Sequence, residues 1–461
     1  MRSRSAGGTL AAGSADRTVR LWNVAYPARP PLGEPLTGPT TWVNTIAFSP
    51  DGRRLAFGSA DNGLRVVDLP SRRLVALLPH PGPVTAATFL DDATLVSGEA
   101  DGVARVWPVP GPGMGGFADS VFALDWSADG RVLAVGPGSA DGTVSLWRVD
   151  GTSATPLGPP IPNPAGEPAF SGSATLTPDG ATLAVGRTDG SVRIWDVSTP
   201  ERPVAVEPPL TGSTGLVEQL TTSPDGATLA VSSDDGTVRL WDLRQPTAPR
   251  PLRTLTGPAN YVFAAAFSPD GRILAGASAD RRGYLWDLGR PGDAPTAVLD
   301  GATSYAYSPA FSPDGATLAI GSADKTVRLW DVRRPDLPVP LGAPLHGPTN
   351  YVYTVAFGPD GKQLAAASTD GTAWLWDVST PSAPRDPISL VASADPLFTV
   401  AFSPDGATLA AGGADRRVHL WTIDPQRAAA ALCARAGAPL SPDEWRRHVG
   451  DVPYEPPCPG P

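Results

Sequence analysis

One line of sequence is written over and over along this chain. Residues 311–332 read FSPDGATLAIGSADKTVRLWDV and residues 402–423 read FSPDGATLAAGGADRRVHLWTI. The Trp near the end of the line stands at Trp22, Trp107, Trp147, Trp195, Trp241, Trp286, Trp330, Trp376 and Trp421, with Val67 in one further copy. Neighbouring copies are 40 to 48 residues apart. A unit of that length cannot bury its hydrophobic face alone and must stack on the next unit. The chain is therefore an array, and its fold follows from the unit.

The unit reads as four short strands. SPDG places Pro second and Gly fourth in a type I turn. Apolar stretches flank it, as in YVYTVAF (351–357) and QLAAAS (363–368). A second turn, SADK or STDG, leads into TVRLWDV, whose β-branched and aromatic residues favour a strand. A Pro-rich stretch such as RRPDLPVPLGAPL (333–345) has room for one more strand. Pro cannot donate to a ladder, so this fourth strand belongs at the outer edge, and the apolar first strand is innermost. The expected class is all-β, with four-stranded antiparallel sheets arranged radially as a β-propeller.

The period, the Trp-Asp pairs (Trp195-Asp196, Trp241-Asp242, Trp286-Asp287, Trp330-Asp331, Trp376-Asp377) and the turn Asp before them resemble the WD-repeat (WD40) family over about residues 5–423. In that family a Gly-His pair often precedes the first strand, and its His joins a Trp–Ser–His–Asp network. Here those places read Gly38-Pro39, Gly257-Pro258, Gly301-Ala302 and His346-Gly347-Pro348. Asp324, Ser322 and Trp330, with their counterparts, are left to hold the turn. The resemblance also implies a ring of seven blades. Counting seven back from Trp421 reaches Trp147, in a blade starting near Val121, and the segment 108–120 before it is short and Gly-rich. The expected division is an incomplete propeller at 1–117, a seven-bladed ring at 118–424 and a tail at 425–461; one ring of ten blades is the alternative. The tail reads as two short helices, with Asp424 as N-cap, Pro425 first and Gly437 as stop, then a capping box from Ser441 to Glu444. It resembles endings of bacterial WD-repeat proteins, which implies a regulatory module N-terminal to this chain.

Charge limits the partners. A net charge of −10 repels phosphate backbones and anionic membranes, and no apolar run approaches the ~20 residues of a membrane helix. TLAAGSAD (9–16) repeats TLAAGGAD (408–415), so the opening with Arg2 and Arg4 belongs to the array and is not a signal peptide. Two cysteines in the whole chain suit a cytoplasmic protein. Cys433 and Cys458 either approach each other through a folded-back tail or stay independent; a bridge needs Cα atoms within ~7 Å.

Catalytic signals are sparse. The four histidines, His80, His346, His419 and His448, make no zinc spacing, and neither CxxC nor a phosphate-binding Gly-rich loop occurs. Asp314, Asp324 and Asp331 recur once per unit, spread around the array, so they read as acceptors of turn N–H groups and not as metal ligands. Arg193, Arg239 and Arg328 read as solvated or blade-packing side chains. No catalytic residue, metal or cofactor is expected. The function expected is a non-catalytic scaffold or sensor for a protein or peptide; the alternative is a propeller-type hydrolase or lyase with an axial site. Seven residues before the turn Ser (or Gly358) several copies carry an aromatic: Trp42, Phe170, Tyr261, Tyr305 and Tyr351. Such rings are typical interface anchors, although they could equally pack between blades. Glu218 and Glu167, near the same side, suit a basic or Arg-containing peptide.

Overall fold

The structure is a computed structural model that describes residues 2–427 apart from 7–8, 24–30, 71, 81, 92–93, 100–103, 110–116, 118, 138–142, 151–152, 164–166, 386, 394 and 425. The described residues form ten antiparallel sheets whose strands lie in sequence order. The eighth is representative: Ala306–Phe311, Thr317–Ser322, Val327–Asp331 and Val339–Leu345. The Pro-rich strand Val339–Leu345 is outermost and mostly exposed, as its missing donors dictate.

The sheets stack through their inner strands. Val121–Trp126, Phe170–Leu176, Val217–Thr222, Val262–Phe267, Ala306–Phe311, Val352–Phe357 and Leu397–Phe402 each pack on the next, and the last packs on the first. At that closing seam Val121, Leu133 and Val135 share a core with Ala410 and Val418. Gly412 is there because a Cβ would run into the Val121 side chain across the seam. The first three sheets, with inner strands Arg2–Ala6, Val43–Phe48 and Val84–Asp91, stack on one another instead.

Each inner strand of the circuit departs from regular pairing near its start. In six of the seven the register skips one residue: Phe122, Glu218, Phe263, Tyr307, Tyr353 and Phe398. A bulge of this kind leaves the extra residue outside the ladder and re-aims its side chain.

The turns are built as their residues imply. Ser312 Oγ donates to Asp314 Oδ1 (2.5 Å), which also accepts from Ala316 N (3.0 Å), and Ser312 Oγ accepts from Thr317 N (2.9 Å). The same set recurs around Asp225, Asp270 and Asp405. The Ser hydroxyl, and then the backbone N–H, hold these four carboxyls below the ordinary Asp value of 3.8. A carboxyl depressed in the folded state stabilises it above the unfolded pKa, and that contribution is lost as pH falls through the folded value. This contribution predicts that urea midpoints measured by circular dichroism fall steadily below about pH 4 as these turn carboxyls take up protons.

The second turn has a different network from the family pattern. Asp324 Oδ2 accepts from Thr303 N (2.9 Å) and from Arg328 Nη1 (2.8 Å), while its Oδ1 accepts from Thr326 Oγ1 (2.6 Å). The residue four after the turn Asp is a donor to it in copy after copy: Arg20, Arg65, Arg239, Tyr284, Trp374 and His419. Arg239 and Arg328 are thus neither solvated nor simply packed; they are paired, because a part-buried Asp needs a donor there. Arg193 likewise pairs with Glu207 and Glu167. One copy keeps the histidine: His80 Nε2 and Trp107 Nε1 both meet Ser97 Oγ at 2.7 Å. At the other end, Arg427 N donates to Asp424 Oδ1 (2.6 Å). Residues 428–461, with Cys433, Cys458 and the second helix expected from the sequence, lie outside the described residues.

Candidate functional site

The bulged residues converge where the inner strands meet. Phe122 stacks on Phe398 (4.4 Å between ring centroids, 10° between planes), Phe398 meets Tyr353 (5.3 Å), Tyr353 meets Tyr307 (5.0 Å), and Tyr307 meets Phe263 (4.7 Å). Five rings from five sheets make one unbroken arc around the axis. The two remaining positions of the circuit are Glu218 and Gly172. Gly172 has φ +86°, and a Cβ there would lie 3.2 Å from Phe122 Cβ, so the glycine both permits the backbone and leaves room for the Phe122 side chain.

Beneath the arc is a cavity of about 320 Å³. Its walls are held by hydrogen bonds between neighbouring inner strands: Leu220 N to Ser173 Oγ (2.8 Å), Ala265 N to Gln219 Oε1 (2.9 Å) and Thr354 Oγ1 to Phe398 O (2.6 Å). Asp125 sits in this wall, its Oδ2 accepting from Thr175 Oγ1 (2.7 Å) and Leu176 N (2.8 Å). Burial pushes its carboxyl up to about 6 against those two bonds. Burial, and then the Asp234 carboxyl beside it, also push Glu218 up. No Lys, Arg or His lines the cavity among the described residues.

The rim residues singled out in the sequence fall in three places. Tyr261, Tyr305 and Tyr351 are each 47% exposed. Tyr305 touches Phe263 (5.9 Å) and Tyr307 (6.3 Å), and Tyr351 touches Tyr307 (6.5 Å), so these two continue the arc outward to solvent. Trp42 is more exposed still, but it belongs to the second sheet, outside the circuit. Phe170 is a correction: it is 2% exposed and packs in the core with Leu183 and Val185, because the chain turns its side chain inward at the head of the strand. Glu218 lies in the arc and not on the rim. Glu167 adds no free acidity, since it pairs with Arg187 and Arg193. The arc itself is two residues further along the same alignment column, where Phe or Tyr recurs five times. No group of three or more metal-ligating side chains occurs among the described residues, and none of their helices is long and apolar enough to cross a membrane.

Small antiparallel sheets stacked through their inner strands, most with a Ser–Asp turn and all but one with a Trp on the third strand, define an all-β repeat protein of the blade-forming class. The family described as "WD domain, G-beta repeat" matches ten segments: 3–23, 30–68, 72–108, 114–148, 172–196, 204–242, 249–287, 294–331, 340–377 and 388–422. These make up well over half of the sequence, and the chain belongs to the WD40 family. It is similar to "Small ribosomal subunit protein RACK1y" of Oryza sativa subsp. japonica, with 30% identity over 154 residues, covering 31% of this chain and 44% of the relative. It is also similar to "Guanine nucleotide-binding protein subunit beta" of Arabidopsis thaliana, with 26% identity over 206 residues, covering 40% and 52%. A third is "Mitochondrial division protein 1" of Pyricularia oryzae, with 31% identity over 212 residues, covering 46% and 27%. The matches span about half or less of these relatives' own lengths.

Proposed function

We propose that the chain is a non-catalytic interaction module, a scaffold or sensor that captures a protein or peptide at the axial mouth lined by Tyr305, Tyr351 and the arc beneath them. In this reading residues 118–424 are a seven-bladed propeller and the working unit, residues 1–117 an incomplete second one, and 425–461 a tail. The same reading makes the chain a cytoplasmic part of a larger regulator. The observation that carries the proposal is the continuity of exposed and half-buried rings from the rim into the cavity. Rigid aromatic side chains that enter a contact with two torsions each lose little entropy on binding, and they dominate interface energies. The groups needed for an enzyme are not gathered there: Asp125 and Glu218 stand without a histidine or metal-ligand cluster among the described residues.

The test is capture from a displayed library of random peptides by the full chain. Replacing Tyr261, Tyr305 and Tyr351 together by Ala should cut binding of the recovered peptides by at least about 100-fold, the sum of anchors worth more than ~1 kcal/mol each. Because all three rings are half-exposed, the melting temperature should shift by no more than about 2 °C. Equal capture by the triple variant would send the partner surface elsewhere.

A further inference from the structure

The arc is broken at one place by a carboxylate, and no Lys, Arg or His among the described residues lines the cavity beside it. Turn Asp residues of the circuit have donors four residues on, among them Arg239 and Arg328, whereas the side chain beside Glu218 is a second carboxyl, Asp234. Behind it stands Asp234, at the position where the corresponding turns carry Ala279, Ala323 or Thr369. Asp234 Oδ1 is buried and receives no hydrogen bond from a donor among the described residues. One sheet has thus acquired two carboxyls together, at the arc and behind it, beside a cavity whose lining also holds rings of the arc and Asp125. A buried acidic pair without a counter-ion is costly unless something supplies the charge.

Resting on the reading of the chain as a peptide-binding module, we propose that the cavity beneath the aromatic arc takes the guanidinium of one arginine side chain from the partner, with Glu218 as its counter-ion and Asp234 supporting Glu218 from behind. The faces of Phe and Tyr rings carry partial negative charge and attract a cation within about 6 Å. Arginine suits the place better than lysine. Its guanidinium is planar, stacks on rings, is weakly hydrated and meets a carboxylate with two parallel N–H bonds, whereas an ammonium must shed a tight water shell. The size agrees: 320 Å³ is at the small end of ligand sites, enough for a side chain but not for a folded segment. Glu167, the other acid expected near this mouth, is already paired with arginines of this chain, and Asp125 in the cavity wall already accepts from Thr175 and Leu176, whereas Glu218 lies in the arc itself.

Proton linkage gives the proposal a signature that packing alone lacks. Burial, and then the neighbouring Asp234 carboxyl, hold Glu218 above the ordinary Glu range, so it keeps its proton to higher pH than a free carboxyl does. The groups that face Glu218 are Asp234, from the turn after Thr228–Ser233, and Tyr307 and Tyr353 across the axis, the latter pushed up to about 12 by burial and then by Glu218. A guanidinium entering beside Glu218 favours its ionised form, so the pair releases a proton as the arginine binds.

The experiment uses peptides recovered from the random display library on the full chain. They are expected to share an arginine. Its replacement by citrulline, which keeps the shape and removes the charge, should weaken binding at least about tenfold, and replacement by lysine should also weaken it. Titration calorimetry at pH 7 in buffers of different ionisation heat should show proton release with the arginine peptide. Glu218→Gln should lose about tenfold in affinity together with the proton release, at an unchanged or higher melting temperature because Gln sits beside Asp234 without having to hold a proton. Should that variant fold poorly, Asp234→Asn provides a second test: proton release should shrink but persist, because burial still raises Glu218, while arginine affinity stays within about threefold. Equal binding of the citrulline or lysine peptide, or full affinity of folded Glu218→Gln, overturns the proposal. Peptides that need the rim tyrosines but no arginine overturn it and leave the interaction module standing. Recovery of no peptide, or of peptides indifferent to those tyrosines, overturns both.

Discussion

Residues 118–424 expressed alone should melt in one sharp transition, and residues 1–117 expressed alone should show none. The reason is the arrangement of open faces. In the circuit from Val121 to Phe402 every inner strand has a neighbour on both sides, and the seam of Val121, Val135, Ala410 and Val418 buries the last face against the first. Repeat stability is close to a sum of unit stabilities and interface terms, so a closed circuit of seven sheets has one more interface than an open stack of seven. Three stacked sheets have two interfaces and two uncovered apolar faces, too little burial to offset the ordering of more than a hundred residues. Circular dichroism and calorimetry of the two pieces decide the matter. A sharp transition in 1–117 would mean that the first three sheets form a unit by themselves. A broad transition in 118–424 would mean that they are needed to complete the ring.

The fold was legible because each unit spells the same local instructions. Pro and Gly at Pro313 and Gly315 mark the turn, Val327 to Trp330 mark the third strand, and the prolines of 338–344 mark the edge; ten repetitions turn weak local preferences into one pattern. The site was less legible, for a physical reason. Strand reading assumes that side chains alternate between faces, and a bulge breaks that alternation at the residue that matters. Phe122, Phe263, Tyr307, Tyr353 and Phe398 sit in those bulges, so a two-residue period assigns them to the wrong surface. Phe170 failed for a related reason. It occupies the same column as Tyr261 and Tyr305, but its own strand pairs irregularly between Phe170 and Ala174, which carries the ring into the core. The donors to the turn Asp were visible in the sequence as a column of Arg, Tyr, Trp and His. Only the distances show that they share one task.

That column also decides where a substitution of the repeated Trp should cost most. Where the donor is an arginine, as in Arg239 and Arg328, the following Trp241 and Trp330 remain partly exposed. Where the donor is Tyr or Trp, it lies over the Trp: Tyr284 stacks with Trp286 at 5.8 Å and Trp374 with Trp376 at 6.5 Å, whereas His419 stacks on Trp421 at 5.7 Å and leaves that ring partly exposed. Trp286 and Trp376 are accordingly each only 1% exposed, and their Nε1 groups donate to Thr256 O (3.1 Å) and His346 O (3.2 Å). Trp286 also lies across Gly276, where a Cβ would meet its six-membered ring. Truncating such a ring removes its transfer energy and leaves a cavity, a loss of about 3–5 kcal/mol, and the carbonyl it served loses its donor as well. Trp376→Ala and Trp286→Ala should therefore each destabilise the chain by about 3–5 kcal/mol in urea unfolding. Trp330→Ala, at a ring partly open to water, should cost less than either. A neutral exchange such as Trp376→Phe keeps most of the volume and should recover more than half of the loss. Equal costs at Trp330 and Trp376 would mean that the stacked aromatic donors contribute nothing to the burial of the Trp, and that the choice of Tyr284 and Trp374 over arginine is of no consequence for stability.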